Sequence, residues 1–421
     1  MEITKHVSAG PKVPDLPELP SDFWTPTQWG VFLSLADAVL APVVPQSELE
    51  DKAVQMRMPD DQFSQLLDVF DAALARPRDG DAAKGADLAR AVLKDSFSTN
   101  PALTGHLRRS ISATVHHRLR KIMGLLLTVL STRVGAFVLT GNCTPVHLQP
   151  LHVREAVLRR WTVSYVPAMR LMARSIATLA QYSWLQSSPL FKQASGYTDV
   201  PHPWKPGPAF EFEFLQFPPA TGKRDEESGS DPVVVETDVV IVGSGCGGAV
   251  CAKILAEAGH RVLVLEKGHY YPPSQLPMPQ EQGSRLLFEN GGVVATTDGA
   301  LTVVAGATWG GGGTINWSVC LQTQDPVRRE WARDRGLPFF ETPEFQACLD
   351  RVCDYMGATA GSEADVRQTH RGKALLDGCD KLGWRAAALM QNSGGAEHWC
   401  GRCTMGCHGG EKQGPAVSWL A

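Results

Sequence analysis

Three glycines, Gly243, Gly245 and Gly248, stand in G-x-G-x-x-G spacing directly after the β-branched run Val239–Val242. The chemistry of that spacing is phosphate binding. The first glycine permits a tight turn, the second lets backbone approach a pyrophosphate, and the third lets helix and strand pack closely. A helix from about 249 to 258 then points its N-terminal N–H groups at the anion, and Gly259 stops it. A second strand, 261–265, ends in Glu266, 23 residues after Gly243. A carboxylate there accepts a hydrogen bond from a ribose 2′-hydroxyl and disfavours a 2′-phosphate. Val242, Gly243, Ser244, Gly245, Cys246, Gly247, Gly248 and Glu266 are therefore the expected contacts to an adenine dinucleotide. This unit alone does not choose between FAD and NAD.

A second glycine cluster follows, Gly306 and then Gly310, Gly311, Gly312 and Gly313, with Thr314, Ile315 and Asn316 after it. Four consecutive glycines strip side chains where something flat or bulky must lie against backbone. Downstream of a dinucleotide unit, that object is read as the flavin end of FAD. A third constellation, Cys400, Cys403 and Cys407, has C-x2-C-x3-C spacing, flanked by His398 and His408. No second C-x2-C completes a ligand set, so a metal centre and a loop of free thiols both stand as readings, and no metal site is assigned.

The elements that must position these groups fall into two regions. The chain of 421 residues, 43% hydrophobic and 20% charged, can bury more than one core, and a net charge of −4 gives no reason to expect nucleic acid. Ten cysteines without an N-terminal apolar leader suggest free thiols in a reducing compartment. Thr25-Pro26-Thr27-Gln28 is a capping box, and Trp29, Phe32, Leu33, Ala36 and Leu40 recur at helical spacing behind it. Phe63, Leu66, Leu67, Phe70 and Leu74 mark a second amphipathic helix. Residues 122–139 approach the length of a membrane span. Arg133 near the middle costs about 2.5–3.5 kcal/mol on insertion scales, and each leucine or valine returns only about 0.3–0.6 kcal/mol. A buried helix and a membrane contact assisted by Arg108, Arg109, Arg118, Arg120 and Lys121 are both open. In the next helix pair, about 153–185, Arg154, Arg159, Arg160, Arg170 and Arg174 are expected on a solvated or membrane-facing side. The Pro-rich stretch after 195 contains Phe210, Phe212 and Phe214 at strand spacing, and Asp298-Gly299 reads as a hairpin turn. The expected organisation is a helical region over 1–198, a linker over 199–234 and a dinucleotide-binding domain over 235–421. The fold class is thus an α/β FAD-binding Rossmann-like domain preceded by an all-α N-terminal region.

V-V-I-V-G-S-G-C-G-G, L-E-K-G and G-A-T-W-G-G-G-G-T-I-N-W together resemble the glucose–methanol–choline (GMC) oxidoreductase family. R-V-G-A-F-V-L-T-G at 133–141 and the cysteine segment resemble its long-chain fatty alcohol oxidase branch. The resemblance implies FAD, oxidation of a long-chain fatty alcohol to an aldehyde, and reduction of molecular oxygen to hydrogen peroxide. It also implies that Gly310, Gly311, Gly312, Gly313, Thr314 and Asn316 line the isoalloxazine. The family's catalytic histidine, with a second histidine or an asparagine, falls beyond Ala421, so the chain reads as C-terminally truncated. His398 and His408 do not match that position, and the catalytic residues are unknown. Two alternatives accompany this reading. One is a dehydrogenase passing electrons to an iron–sulfur cluster or quinone; the other is an inactive FAD-binding fragment. The expected location is intracellular and membrane-associated, at the peroxisome or endoplasmic reticulum.

Overall fold

Thr25 starts the first helix as its spacing requires. Its hydroxyl accepts from the backbone N–H of Gln28, and the Gln28 side chain accepts from the backbone N–H of Thr25, so the helix Pro26–Val39 opens on a full capping box. The computed structural model describes residues 3–5, 22–51, 53–74, 83–199, 204–215, 234–292, 294–296, 301–359, 369–399, 401–407 and 409–421. These fall into two units. One comprises 16–198 and 293–303, the other 1–15, 199–292 and 304–421.

The first unit is mainly helical. Phe32, Leu35, Leu103, Leu107, Ile111, Leu127, Leu130 and Ile176 are fully buried and form its centre. Each such side chain contributes about 1.5–3 kcal/mol through removal from water. Trp24, Trp29 and Phe32 pack ring against ring, with centroids 4.7–6.2 Å apart. The region is not purely α, because Val43–Pro45 pairs in parallel with Met56–Met58. In the helix Asp60–Leu74, Phe63 is buried, whereas Leu66, Leu67 and Phe70 are only partly covered and the side chain of Leu74 lies outside the description.

Residues 122–139 do not form one helix. His117–Leu130 and Arg133–Thr140 meet at 103°, broken at Ser131 and Thr132, where each hydroxyl turns back onto a backbone carbonyl. Among the described residues no single helix is long and apolar enough to cross a membrane, although this bent pair passes by length and composition together. Arg154 also departs from the expected exposed side. It is 1% exposed and donates to the Ser34 carbonyl, one turn from buried Asp37. Its helix faces the core with Leu151, Val157, Leu158 and Trp161, and the guanidinium is carried in with that face.

In the second unit, Val239–Val242 and Val262–Leu265 pair in parallel, Val239 opposite Val262 and Val242 opposite Leu265. The connecting helix is Cys246–Glu257. The first strand is not buried as a continuous apolar run suggests, since Val240 is 51% and Val242 84% exposed. Among the described residues this sheet has two strands, so neither has neighbours on both sides. A separate core gathers Tyr271, Leu276, Met278, Leu287, Phe288, Ile315 and Met405. The described part of the Pro-rich stretch, 204–215, packs within this unit. Phe212 is 7% exposed, and Phe212 and Phe214 each stack edge-on against Trp309 at 5.3 Å. Glu213–Leu215 pairs antiparallel with Ile3–Lys5. In the first unit, Val294–Ala295 and Thr302–Val303 pair antiparallel, as a hairpin requires, while Asp298 and Gly299 lie outside the described residues.

Candidate functional site

The first glycine turn has three different reasons for its three glycines. Gly243 has φ +96°, a conformation that L side chains rarely adopt. A Cβ on Gly248 would sit 2.1 Å from the Gly243 carbonyl oxygen, so helix and strand approach too closely for any side chain there. A Cβ on Gly245 or Gly247 would meet nothing within 4 Å. The backbone is bare at those two positions because of space above the turn, which is what a ligand lying on it needs. The helix opens at Cys246, three residues earlier than its sequence pattern indicates, with Gly245 as N-cap and no side-chain cap. Its first N–H groups therefore face that space as an anion-binding end.

Ser244 ties this turn together. It is fully buried, and its hydroxyl donates to Glu266 Oε2 at 2.6 Å and accepts from the Gly310 backbone N–H at 2.9 Å. Glu266 Oε2 also accepts from the Ser244 backbone N–H at 2.9 Å, and Oε1 from the Gly268 N–H at 2.8 Å. Burial acts to raise this carboxyl's pKa. The hydrogen bonds from Ser244 and Gly268 outweigh it and hold the group below the usual carboxylate range. A carboxylate has about four lone-pair sites, and three bonds already fall on this one. Glu266 thus braces the turn, and a ribose hydroxyl would share it with Ser244 and Gly268.

The second glycine cluster lies against the first. A Cβ on Gly311, at φ +53°, would fall 2.9 Å from the Cα of Gly245. One on Gly306 would meet Gly311, and one on Gly313 would meet the ring of Pro415 at 2.2 Å and Cys246 Sγ at 3.1 Å. Close packing, which the four-glycine run by itself does not reveal, accounts for all three positions, against backbone at Gly306 and Gly311 and against side chains at Gly313. Gly312 alone in the run faces open space. Thr314 donates to the Trp309 carbonyl, and Asn316 to the Gly313 carbonyl.

Beside this cluster opens a small cavity of about 40 Å³, lined by Phe210, Tyr270, Tyr271, Leu276, Trp309, Gly313, Thr314 and Val417 among others. Tyr271 Oη and Trp309 Nε1 are buried without a hydrogen-bond partner among the described residues. The open space over Gly245, Gly247 and Gly312 makes the residues present fit a dinucleotide cofactor.

Sequence reasoning missed Lys412. It is 3% exposed, and its ammonium donates to the carbonyls of Thr314 at 2.6 Å, Asn316 at 3.1 Å and Cys403 at 2.6 Å. Three donors meet three acceptors, which joins the glycine-cluster segment to the cysteine loop. Lysines are rarely so buried, so nothing in the local sequence marks it. In that loop Cys403 and His398 are buried, while Cys400 and His408 lie outside the described residues. The described cysteines are free thiols.

A glycine turn braced by an acid at the end of the second parallel strand defines a dinucleotide-binding protein. Residues 241–271 match the NAD(P)-binding Rossmann-like domain family. Residues 284–421 match the family described as GMC oxidoreductase, so the chain carries a GMC oxidoreductase domain, and that family depends on FAD. It is 31% identical over 378 residues to long-chain-alcohol oxidase FAO4A of Arabidopsis thaliana, covering 77% of this chain and 51% of that protein. It is also 31% identical over 367 residues to long-chain-alcohol oxidase FAO3 of the same plant, covering 78% and 48%. A digoxin reductase of Eggerthella lenta is 29% identical over 222 residues, 45% of this chain and 36% of its own. The chain spans about half the length of the curated oxidases it matches.

Proposed function

We propose that this chain is the cofactor-holding part of an FAD-dependent oxidase that converts long-chain primary fatty alcohols to aldehydes while O2 is reduced to H2O2. The observation that carries this reading is the bare turn at Gly245 and Gly247 in a chain 31% identical over 378 residues to a long-chain-alcohol oxidase. Phe210, Tyr270, Leu276 and Val417 line the small cavity beside the second glycine cluster and would give an alkyl chain an apolar wall. Bound FAD would accept two electrons from the alcohol and deliver them to oxygen. Gly243, Gly245 and the helix end at Cys246 would hold the pyrophosphate, Ser244 and Glu266 would keep that turn in register, and Gly312 would lie under the flavin. No residue of this chain is assigned as the base that takes the hydroxyl proton.

The substrate's solubility bears on where this occurs. Leu119, Ile122, Leu125, Val134, Phe137 and Val138 are 52–76% exposed on the bent helix pair, with Arg118, Lys121 and Arg133 exposed beside them. This apolar ridge with a basic rim has the chemistry of an anionic membrane surface, from which a long-chain alcohol would be drawn.

The test is oxygen uptake by purified protein with dodecanol. Equal amounts of peroxide and aldehyde are expected. Aldehyde formed only with an added quinone would replace the oxidase by a dehydrogenase, and bound FAD without turnover of the intact natural protein would leave a cofactor-binding chain alone. Sedimentation with vesicles tests the membrane surface: binding to anionic but not zwitterionic lipid is expected, and equal failure with both refutes it.

A further inference from the structure

The loop around Lys412 brings together donors that the cofactor reading does not use. His398 is 7% exposed, and its Nε2 lies 3.8 Å from Cys407 Sγ and 3.6 Å from Cys403 Sγ. Cys407 Sγ lies 3.4 Å from Glu411 Oε2. The ligand atoms of His398, Cys407 and Glu411 are all within 4.8 Å of one another. Tetrahedral zinc, with Zn–S about 2.3 Å and Zn–N or Zn–O about 2.0 Å, separates sulfur from a neighbouring nitrogen or oxygen by about 3.5 Å. The two closest sulfur contacts to the histidine and the glutamate have that spacing. A second observation comes from the other ring nitrogen. His398 Nδ1 lies 3.4 Å from Gln391 Oε1 and 3.8 Å from Cys403 Sγ, and a histidine that binds metal through one nitrogen characteristically donates the other N–H to such an oxygen.

We propose that His398, Cys407 and Glu411 bind a zinc ion, with Cys403, the other sulfur against this imidazole, as the nearest fourth donor. The donor set suits a borderline-soft divalent cation: one imidazole, thiolate sulfur and one carboxylate. Its role is structural. Glu411 precedes Lys412, whose ammonium holds the carbonyls of Cys403, Thr314 and Asn316. The ion would fix the loop that presents that lysine, and through it the backbone of the second glycine cluster.

The test is metal analysis of the purified natural protein, with FAD content measured in parallel. About one zinc per chain is expected, lost in Cys407→Ser and in Glu411→Gln but kept in Cys400→Ser. Gln391→Leu should weaken zinc binding about 10–100-fold, read by competition with a chromophoric chelator. Cobalt(II) in place of zinc should give a thiolate-to-cobalt charge-transfer band in the near ultraviolet. Absence of stoichiometric metal, iron in its place, zinc lost with Cys400→Ser, or no such band in folded protein with cobalt(II) alone overturns the proposal. Because these readouts are metal content and spectra, they stand whether or not the alcohol oxidase reading holds.

Discussion

Ser244→Ala removes one hydroxyl that serves two partners, and the cost can be worked from the geometry. The hydroxyl donates to a charged carboxylate at 2.6 Å and accepts from the Gly310 N–H at 2.9 Å, at a fully buried position. A hydrogen bond to a charged group contributes about 1.5–3 kcal/mol, and a buried N–H left without an acceptor costs about 1–3 kcal/mol. Glu266 keeps its bonds from the Ser244 and Gly268 N–H groups, which places the total near the lower half of the sum, about 3 kcal/mol. For a unit of this size that is a fall in Tm of about 6–12 °C. The freed Gly310 also lets the second glycine cluster move off the first. FAD affinity should then drop about 10–100-fold, since about 1.4 kcal/mol is tenfold. Thermal unfolding of the apoprotein and flavin-fluorescence titration measure the two effects separately. The relay also predicts coupling: Ser244→Ala and Glu266→Gln combined should cost clearly less than their sum. Additivity within about 0.5 kcal/mol, or an unchanged Tm and FAD affinity in Ser244→Ala, would refute the argument that Ser244 joins the two clusters.

Other outcomes follow from single contacts. Gly245→Ala, whose Cβ meets no protein atom, should keep its Tm and lose flavin absorbance, whereas Gly248→Ala, 2.1 Å from a carbonyl oxygen, should lose both; equal behaviour of the two would contradict the assignment of open space to a ligand. Arg154→Ala should cost about 1.5–3 kcal/mol in urea unfolding, because it removes the charged hydrogen bond to the Ser34 carbonyl at a buried position. The Asp238 carboxyl is lowered to about 2 by hydrogen bonds from Arg261. A depressed folded value means that its stabilisation is complete above the unfolded value of about 3.9 and is lost as pH falls towards about 2. Glu266 has the same sign, so stability should fall on acidification below about pH 4.3. Asp238→Asn together with Glu266→Gln should flatten that limb in acid titrations followed by circular dichroism; an unchanged limb in the double variant contradicts the attribution.

Much of the site was legible because its causes are local. Gly243 must be glycine for its own φ, and a capping box is closed by residues three apart in the chain. The break at Ser131 and Thr132 was not legible from hydropathy, because an apolar average over 122–139 does not register two residues whose hydroxyls bond back to the preceding turn where two helices meet at 103°. Arg154 shows the same limit. Charge predicts exposure, but a helix turned by its leucines and tryptophan carries its arginine inward with them.

The sequence by itself determined the dinucleotide turn, the acid at the end of its second strand and the helical start at Thr25, since each depends on residues close together along the chain. Tertiary structure decided what those residues do to one another. It set Gly311 against Gly245, turned Glu266 onto Ser244, and aimed a lysine from position 412 at carbonyls nearly a hundred residues away. Such contacts depend on where distant backbone comes to rest, and backbone position at long range is fixed by packing of the whole unit.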